Sequence, residues 1–199
     1  MSFFASFRSD QLVSQLIAEP DPTSPAAQKL VAKLKNAGNK AVPKIIDALA
    51  LSDKSHTMVL VDILGALVND KNLDLYREGL ADGNERVVSG TAWALSSSTD
   101  YNANQLLEFF DDEEVSKAAL IEVLRVHKQD LSVHELLQRA VQHGTSPDDG
   151  LLWIFEQKPD AHQLDAEALK RLNSLPVFRG RLSLDAEHRR EGRAVDIGV

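Results

Sequence analysis

The stretch LADGNERVVSGTAWALSS, residues 80–97, decides the predicted fold. Within it, Val88, Ala92 and Leu95 recur at positions i, i+4 and i+7, a spacing that places them on one face of an α-helix. The polar loop DGNE comes directly before this pattern, and its Asp and Asn side chains are suited to cap the first free N–H groups of a helix. The stretch therefore predicts a short polar turn followed by an amphipathic helix.

A second helix precedes this turn. In NLDLYREGL, Leu73, Tyr76 and Leu80 form another apolar stripe at helical spacing, so the unit is helix, turn, helix. The unit recurs along the chain with a period of about 30 residues. The positions that correspond to Leu80 in the other units are Leu49, Phe110 and Val141, and the corresponding positions in the second helices include Leu34 and Leu64.

Five such helix pairs predict an all-α fold of the α-solenoid class. A helix pair that cannot bury its own apolar face buries it against the next pair, so a fixed period implies a stack. After the fifth pair, KPDAHQLDAEALKRLNSL predicts a C-terminal capping helix, and from Pro176 the chain loses its helical period. We therefore expect a repeat domain over residues 1–175 and a flexible, Arg-containing tail over residues 176–199.

The repeating unit resembles the HEAT repeat over roughly residues 9–157. In GLADGNERVVSGTAWAL, the residues that match the family's leucine, turn aspartate, valine, alanine and leucine are Leu80, Asp82, Val87 or Val88, Ala92 and Leu95. Pro43 stands near the front of a first helix, where the family often carries proline, whereas Val88 and Ser116 replace the arginine that usually follows the turn valine. The repeats are most similar to the short bacterial, armadillo-like kind found in phycobilin lyases. The resemblance implies the fold and leaves the function open, because the family hosts many unrelated roles.

The composition excludes several classes of partner. The chain carries a formal net charge of −8, and an acidic body repels a phosphate backbone, so nucleic acid is not expected to bind. There is no Cys and hence no disulfide or thiolate site. The N-terminus MSFFASFRSD has no basic region, and its apolar run ends at Arg8, too early for a signal peptide or a membrane span. These features predict a cytoplasmic protein without membrane contact.

No sequence motif predicts catalysis. The H-E-x-x-H, G-x-S-x-G and glycine-rich phosphate-binding motifs are absent from the sequence. A catalytic triad assembled from residues far apart in the chain leaves no sequence motif, so that alternative stays open. The six His side chains are expected to be exposed or at helix ends. The acidic runs at residues 111–114 and 148–149 are expected to cap helix N-termini rather than hold a metal. We therefore expect no enzyme activity, no metal and no cofactor.

Trp93 departs from the apolar stripe of its helix. At 100° per residue it points roughly 140° away from that stripe, with Arg86 and Ser89 in a similar direction. An outward Trp on the concave side of a HEAT stack would be an anchor for a partner, the alternative being that it packs sideways against a neighbouring repeat. With the equivalent positions of other repeats, the predicted protein-binding groove comprises Asp62, Arg86, Ser89, Trp93, Glu122 and Trp153.

The function that these features favour is a non-enzymatic scaffold or adaptor that binds a protein or peptide on the concave face. The acids of the groove would select a basic partner. The alternative, implied by the resemblance to phycobilin lyases, is a subunit that handles a tetrapyrrole. A third class, the alkylated-base glycosylases built from HEAT-like repeats, requires a basic groove, and the acidic body argues against it.

Overall fold

The structure is a computed structural model that describes residues 3–132, 134–136 and 139. The chain divides into two compact units, Met1–Asp130 and Leu131–Val199. In the first unit the described residues form helices and turns, with no strand. The α-helices are α1 Phe3–Ala18, α2 Pro25–Ala37, α3 Val42–Leu49, α4 Lys54–Leu67, α5 Leu73–Leu80, α6 Glu85–Ser96 and α7 Lys117–Val126, and the 3₁₀ helices are Gly38–Lys40 and Ala103–Asp111.

The described part of the second unit is a short helical stretch, in which the Ser132 hydroxyl accepts a hydrogen bond from the Glu135 amide at 3.4 Å. The fifth helix pair, the capping helix, the boundary at residue 175 and the tail over residues 176–199 lie outside the described residues, and so does Trp153. They stay predictions.

The helices pack as consecutive pairs within the first unit. The paired helices are α1 with α2, α3 with α4, α5 with α6, and the 3₁₀ helix Ala103–Asp111 with α7. The second helices also contact one another in order, α2 against α4, α4 against α6 and α6 against α7, and α1 contacts α3. The all-α class predicted from the sequence is therefore confirmed for the described residues.

Side-chain caps set the helix starts. Asn84 accepts a hydrogen bond from the Arg86 amide at 3.0 Å and begins α6, as the loop DGNE predicts. At α7 the prediction is wrong, because the N-cap is Ser116, which accepts from the Ala119 amide, and the acidic run at residues 111–114 precedes the helix. One of those acids, Asp112, accepts from the Glu114 amide within the turn instead.

The buried face of α6 is broader than the predicted stripe. Of that stripe, Ala92 and Leu95 are buried and Val88 is partly buried, and the buried face also includes Val87 and Thr91. The physical reason is that α6 has neighbours on several sides, since it contacts α3, α4, α5 and α7. A single stripe at i, i+4 and i+7 is too narrow for a helix packed in this way.

The fourth first helix is a 3₁₀ helix rather than the α-helix that the pattern predicts. Its apolar residues come in adjacent pairs, and a turn of three residues stacks them in two neighbouring columns. All of them are buried: Ala103, Leu106, Leu107, Phe109 and Phe110. The Lys117 ammonium of α7 donates to the main-chain oxygens of Phe109, Phe110 and Asp112 and so satisfies carbonyls at the end of this helix.

Hydrogen bonds join successive helix pairs along the edge formed by the turns within pairs. In each case a group at the start of a second helix donates to the end of the first helix of the preceding pair. The bonds are His56 Nε2 to the Glu19 oxygen at 2.9 Å, Arg86 Nη1 to the Ser52 oxygen at 3.5 Å, and the Ser116 amide to the Leu80 oxygen at 3.0 Å. This edge therefore holds the N-terminal ends of α4, α6 and α7 in register.

The opposite edge is joined through the loops between pairs. Asn72 donates to the Asn39 side chain at 2.9 Å, and Asp70 accepts from the Asn102 amide at 2.6 Å. Asp70 also accepts from the Gln105 side chain at 3.1 Å.

Among the described helices, none is both long enough and apolar enough to cross a membrane.

Candidate protein-binding site

Trp93 lies on the outer side of α6. About half of its side-chain surface, 51%, is exposed, whereas Thr91 and Ala94 on the opposite side of the helix are completely buried. Arg86 and Ser89 are also exposed on α6. The helical period therefore places Trp93 away from the core, with about half of its surface open to solvent.

The predicted row of groove residues is exposed on three successive second helices. Asp62 of α4, Trp93 of α6 and Glu122 of α7 are all exposed. Both acids have a cationic partner, since Asp62 pairs with Lys35 of α2 at 2.9 Å and Glu122 pairs with Arg125 at 2.5 Å. The row is therefore electrically balanced by its neighbours, which the sequence pattern did not predict.

A cleft forms where the first turns of α4 and α6 lie side by side, and we call it the Trp93 cleft. Its volume is about 440 Å³. It is lined by Ser52, Asp53, Lys54, Thr57 and Met58 on the α4 side and by Glu85, Arg86, Ser89, Gly90 and Trp93 on the α6 side. The structure thus brings together Arg86, Ser89 and Trp93 of the predicted residues, while Asp62 and Glu122 lie outside the cleft.

Met58 is not among the residues predicted from the sequence, and it forms the apolar part of the cleft on the α4 side. Its side chain is 52% exposed, and only Leu51, Trp93 and Val126 match it among the large apolar residues of the described chain. Met58 stands four residues before Asp62, on the same face of α4, so the helical period that identified Asp62 would also have identified Met58. The cleft therefore has one exposed apolar side chain on each helix.

Two glycines allow close packing around α6. A Cβ atom on Gly65 would lie 2.6 Å from the Ser97 hydroxyl and 3.3 Å from the Ala94 carbonyl oxygen, so α4 approaches the backbone of α6 there. Gly90 lines the cleft, and a Cβ atom on it would lie 2.8 Å from a methyl group of Leu49. Residues without side chains are needed at both contacts.

Most polar groups of the cleft are already engaged within the protein. The Ser52 hydroxyl bonds the Leu49 oxygen and the Thr57 hydroxyl, and Arg86 donates to the Ser52 oxygen. Within the described part of the chain, by contrast, Lys54 and Glu85 form no ion pair within 4 Å and no side-chain hydrogen bond. A ligand would therefore find one cation and one anion that have no partner within the protein, on different helices, and Arg86, whose charge has no acidic partner, lies beside Glu85.

His56 anchors the α4 side of the cleft and is buried. Its Nδ1 lies 2.9 Å from Asp53 Oδ1 and its Nε2 lies 2.9 Å from the main-chain oxygen of Glu19. Both partners are acceptors, so the two bonds form together only when the ring carries both protons, as an imidazolium. Burial opposes this charge, but the bonds to Asp53 and Glu19 outweigh burial and raise the pKa of His56. The bonds from the His56 amide and ring lower the pKa of Asp53.

His127 is the second buried histidine. Its Nε2 lies 3.0 Å from both the Tyr101 hydroxyl and the Leu95 oxygen, and the Tyr101 hydroxyl donates to the same oxygen at 2.9 Å. Burial raises the pKa of Tyr101. The expectation that histidines lie at helix ends or in solvent is confirmed for the described ones, since His134 is exposed and His56 and His127 lie at helix ends, where both are buried. Each of the two rings forms a hydrogen bond with a main-chain carbonyl oxygen of another helix pair, at Glu19 for His56 and at Leu95 for His127.

In the part of the chain that the structure describes, no three His, Asp or Glu side chains converge in a way that would hold a metal ion. The Trp93 cleft presents an indole, a thioether and charged side chains of both signs. Comparison with protein-family models, with curated proteins and with solved structures finds no significant match.

Proposed function

We propose that the chain is a non-enzymatic scaffold or adaptor that binds a protein or peptide partner in the cytoplasm through the outer face of its second helices. The observation that carries the proposal is the meeting of Trp93 and Met58, two of the few exposed large apolar side chains, in one cleft. Exposed apolar side chains that cluster in a concave site favour a binding role, and Trp is the residue most enriched among interface hot spots.

We further propose that the helix pairs form a HEAT-like α-solenoid of five repeats with a capping helix. The sequential contacts of α2, α4, α6 and α7 support this arrangement. So do the three equivalent bonds at His56, Arg86 and Ser116, each of which ties one pair to the preceding pair. A stack of this kind presents its second helices side by side as one extended surface.

The alternative function, a tetrapyrrole-handling subunit, has less support. A cofactor of that kind is held by a site that is mostly apolar and encloses the ligand. The surface of the Trp93 cleft is mostly apolar, but the cleft is open to solvent and does not enclose a ligand, and Asp53, Lys54, Glu85 and Arg86 line it. Visible absorbance in the purified protein would reverse this preference.

The test of the proposed function is quantitative capture of partners from native lysate by the full chain and by Trp93→Ala. We expect Trp93→Ala to lose its specific partner, with affinity reduced about 30-fold, which corresponds to about 2 kcal/mol for a central aromatic anchor. Val126→Ala is the matched control, because Val126 is 59% exposed on α7 and does not line the cleft.

Thermal unfolding completes this test. Because Trp93 is half exposed, Trp93→Ala should change the melting temperature by no more than a few degrees. Identical partner lists for the full chain and the folded variant would refute the proposed function.

A further inference from the structure

Resting on the proposed function, we infer that the Trp93 cleft recognises a peptide segment with an apolar anchor residue placed between an acidic and a basic residue. The anchor would lie between Met58 and Trp93. The acidic residue would face Lys54 and the basic residue would face Glu85. This departs from the basic partner that the acids Asp62 and Glu122 predict.

The charge balance of the site excludes selection by net charge. The lining of the cleft contains two acids, Asp53 and Glu85, and two bases, Lys54 and Arg86, so its formal net charge is zero. Outside the cleft, the ion pairs of Asp62 and Glu122 neutralise the two acids that the row contributes. A partner rich in Lys and Arg would therefore meet no uncompensated negative field at this site.

The free groups define the complementary pattern. Asp53 bonds His56 and Arg86 bonds the Ser52 oxygen at 3.5 Å, which leaves Lys54 and Glu85 as the charged side chains of the cleft that have neither a hydrogen bond nor an ion pair within the protein. Lys54 is the first residue of α4 and Glu85 is the first residue of α6, so the two free charges stand at the same end of two adjacent helices. Their opposite signs also fix the direction in which a peptide lies across the cleft.

The apolar groups supply the affinity in this scheme. Met58 stands one turn beyond Lys54 on α4, and Trp93 stands two turns beyond Glu85 on α6. A thioether adapts its shape to different apolar side chains, and an indole offers a rigid flat surface. Exposed ion pairs contribute little by comparison, so the charged rim gives orientation and the anchor gives affinity.

The experiment is selection of a random peptide library displayed on phage against the full chain, with counter-selection against Trp93→Ala. The most enriched peptide is then synthesised, and its binding is measured by fluorescence anisotropy. We expect enriched peptides to share an apolar residue flanked by an acid and a base. We also expect about 30-fold weaker binding to Trp93→Ala and about threefold weaker binding to Lys54→Glu.

Two controls make the result specific. A peptide in which the acid and the base are exchanged should bind the full chain more weakly than the original peptide does. The same exchanged peptide should bind the Lys54→Glu/Glu85→Lys double variant as tightly as the original peptide binds the full chain. Val126→Ala should bind as the full chain does, and circular dichroism verifies that every variant is folded.

Two outcomes would overturn the inference, and they are distinguishable. Enriched peptides that depend on Trp93 but are basic and lack an apolar anchor would contradict the inference and leave the proposed function standing. Absence of any peptide that depends on Trp93 would contradict both.

Discussion

The two hydrogen bonds of the buried His56 ring lead to a prediction about stability that can be worked out from its contacts. In His56→Leu the side chain keeps an apolar volume but loses both donors, so the Glu19 oxygen 2.9 Å away loses its bond. A hydrogen bond from a charged donor is lost and a shielded carbonyl is left unsatisfied, which together cost about 2–3 kcal/mol. For a chain of this size, we expect the melting temperature to fall by about 5–10 °C.

The same contacts predict how stability changes with pH. The pKa of His56 is raised above its ordinary value of 6.5, so its contribution is complete below pH 6.5 and is lost as the pH rises through the folded-state pKa. The pKa of Asp53 is lowered below 3.8, so its contribution is present above pH 3.8 and is lost on further acidification. The pair therefore stabilises the fold most between pH 3.8 and pH 6.5.

The assay is differential scanning calorimetry of the full chain and of His56→Leu at mildly acidic and mildly alkaline pH. The difference in melting temperature between the two proteins should shrink as the pH rises. His134→Leu is the control. Because His134 is exposed, this variant should melt at the same temperature as the full chain at both pH values. The reasoning is refuted if His56→Leu melts with the full chain at acidic pH, or if their difference is the same at both pH values.

Three further predictions concern packing, and thermal unfolding checks each. Gly79→Ala should destabilise the fold by about 1–3 kcal/mol, because the new Cβ would lie 2.6 Å from a buried Thr hydroxyl of α6, whereas Gly83→Ala meets open space and should be neutral. Tyr76→Phe loses a 2.7 Å bond to a main-chain oxygen of α4 and should cost about 1 kcal/mol, and an unchanged melting temperature would contradict that bond. Leu49→Ala should cost about 2–5 kcal/mol because Leu49 is completely buried, whereas Leu51→Ala, at 85% exposure, should cost less than about 0.5 kcal/mol.

The spacing of apolar residues predicts the buried face of a helix correctly where the helix has few neighbours. The stripe of Leu73, Tyr76 and Leu80 on α5 is buried as predicted, and the Asn84 cap begins α6. On α6 the predicted stripe is only part of the buried face, because α6 contacts four helices; Val87 is buried and Val88 is partly buried. The prediction was wrong at residues 103–111, where paired apolar residues favour a 3₁₀ turn.

The binding site was predictable in part for the same reason. Trp93, Arg86 and Ser89 follow from the period of a single helix, and Met58 would have followed from the period of α4. The pairing of Asp62 with Lys35 joins residues 27 positions apart on different helices, and no local pattern signals it. The sequence therefore presented Asp62 as a free acid, although it is half of an ion pair.

The amino-acid sequence alone determined the helical class, the succession of helix pairs and the outward direction of Trp93, because these depend on spacing within about ten residues of chain. Only the tertiary structure decided which charges are free and where a cleft opens. Lys54 and Glu85 are accessible, and the pKa of His56 is raised by its bonds to Asp53 and Glu19, because of where α4 lies against α6 and α1. Such contacts join residues far apart in the chain, and their energies depend on distance and burial rather than on sequence spacing.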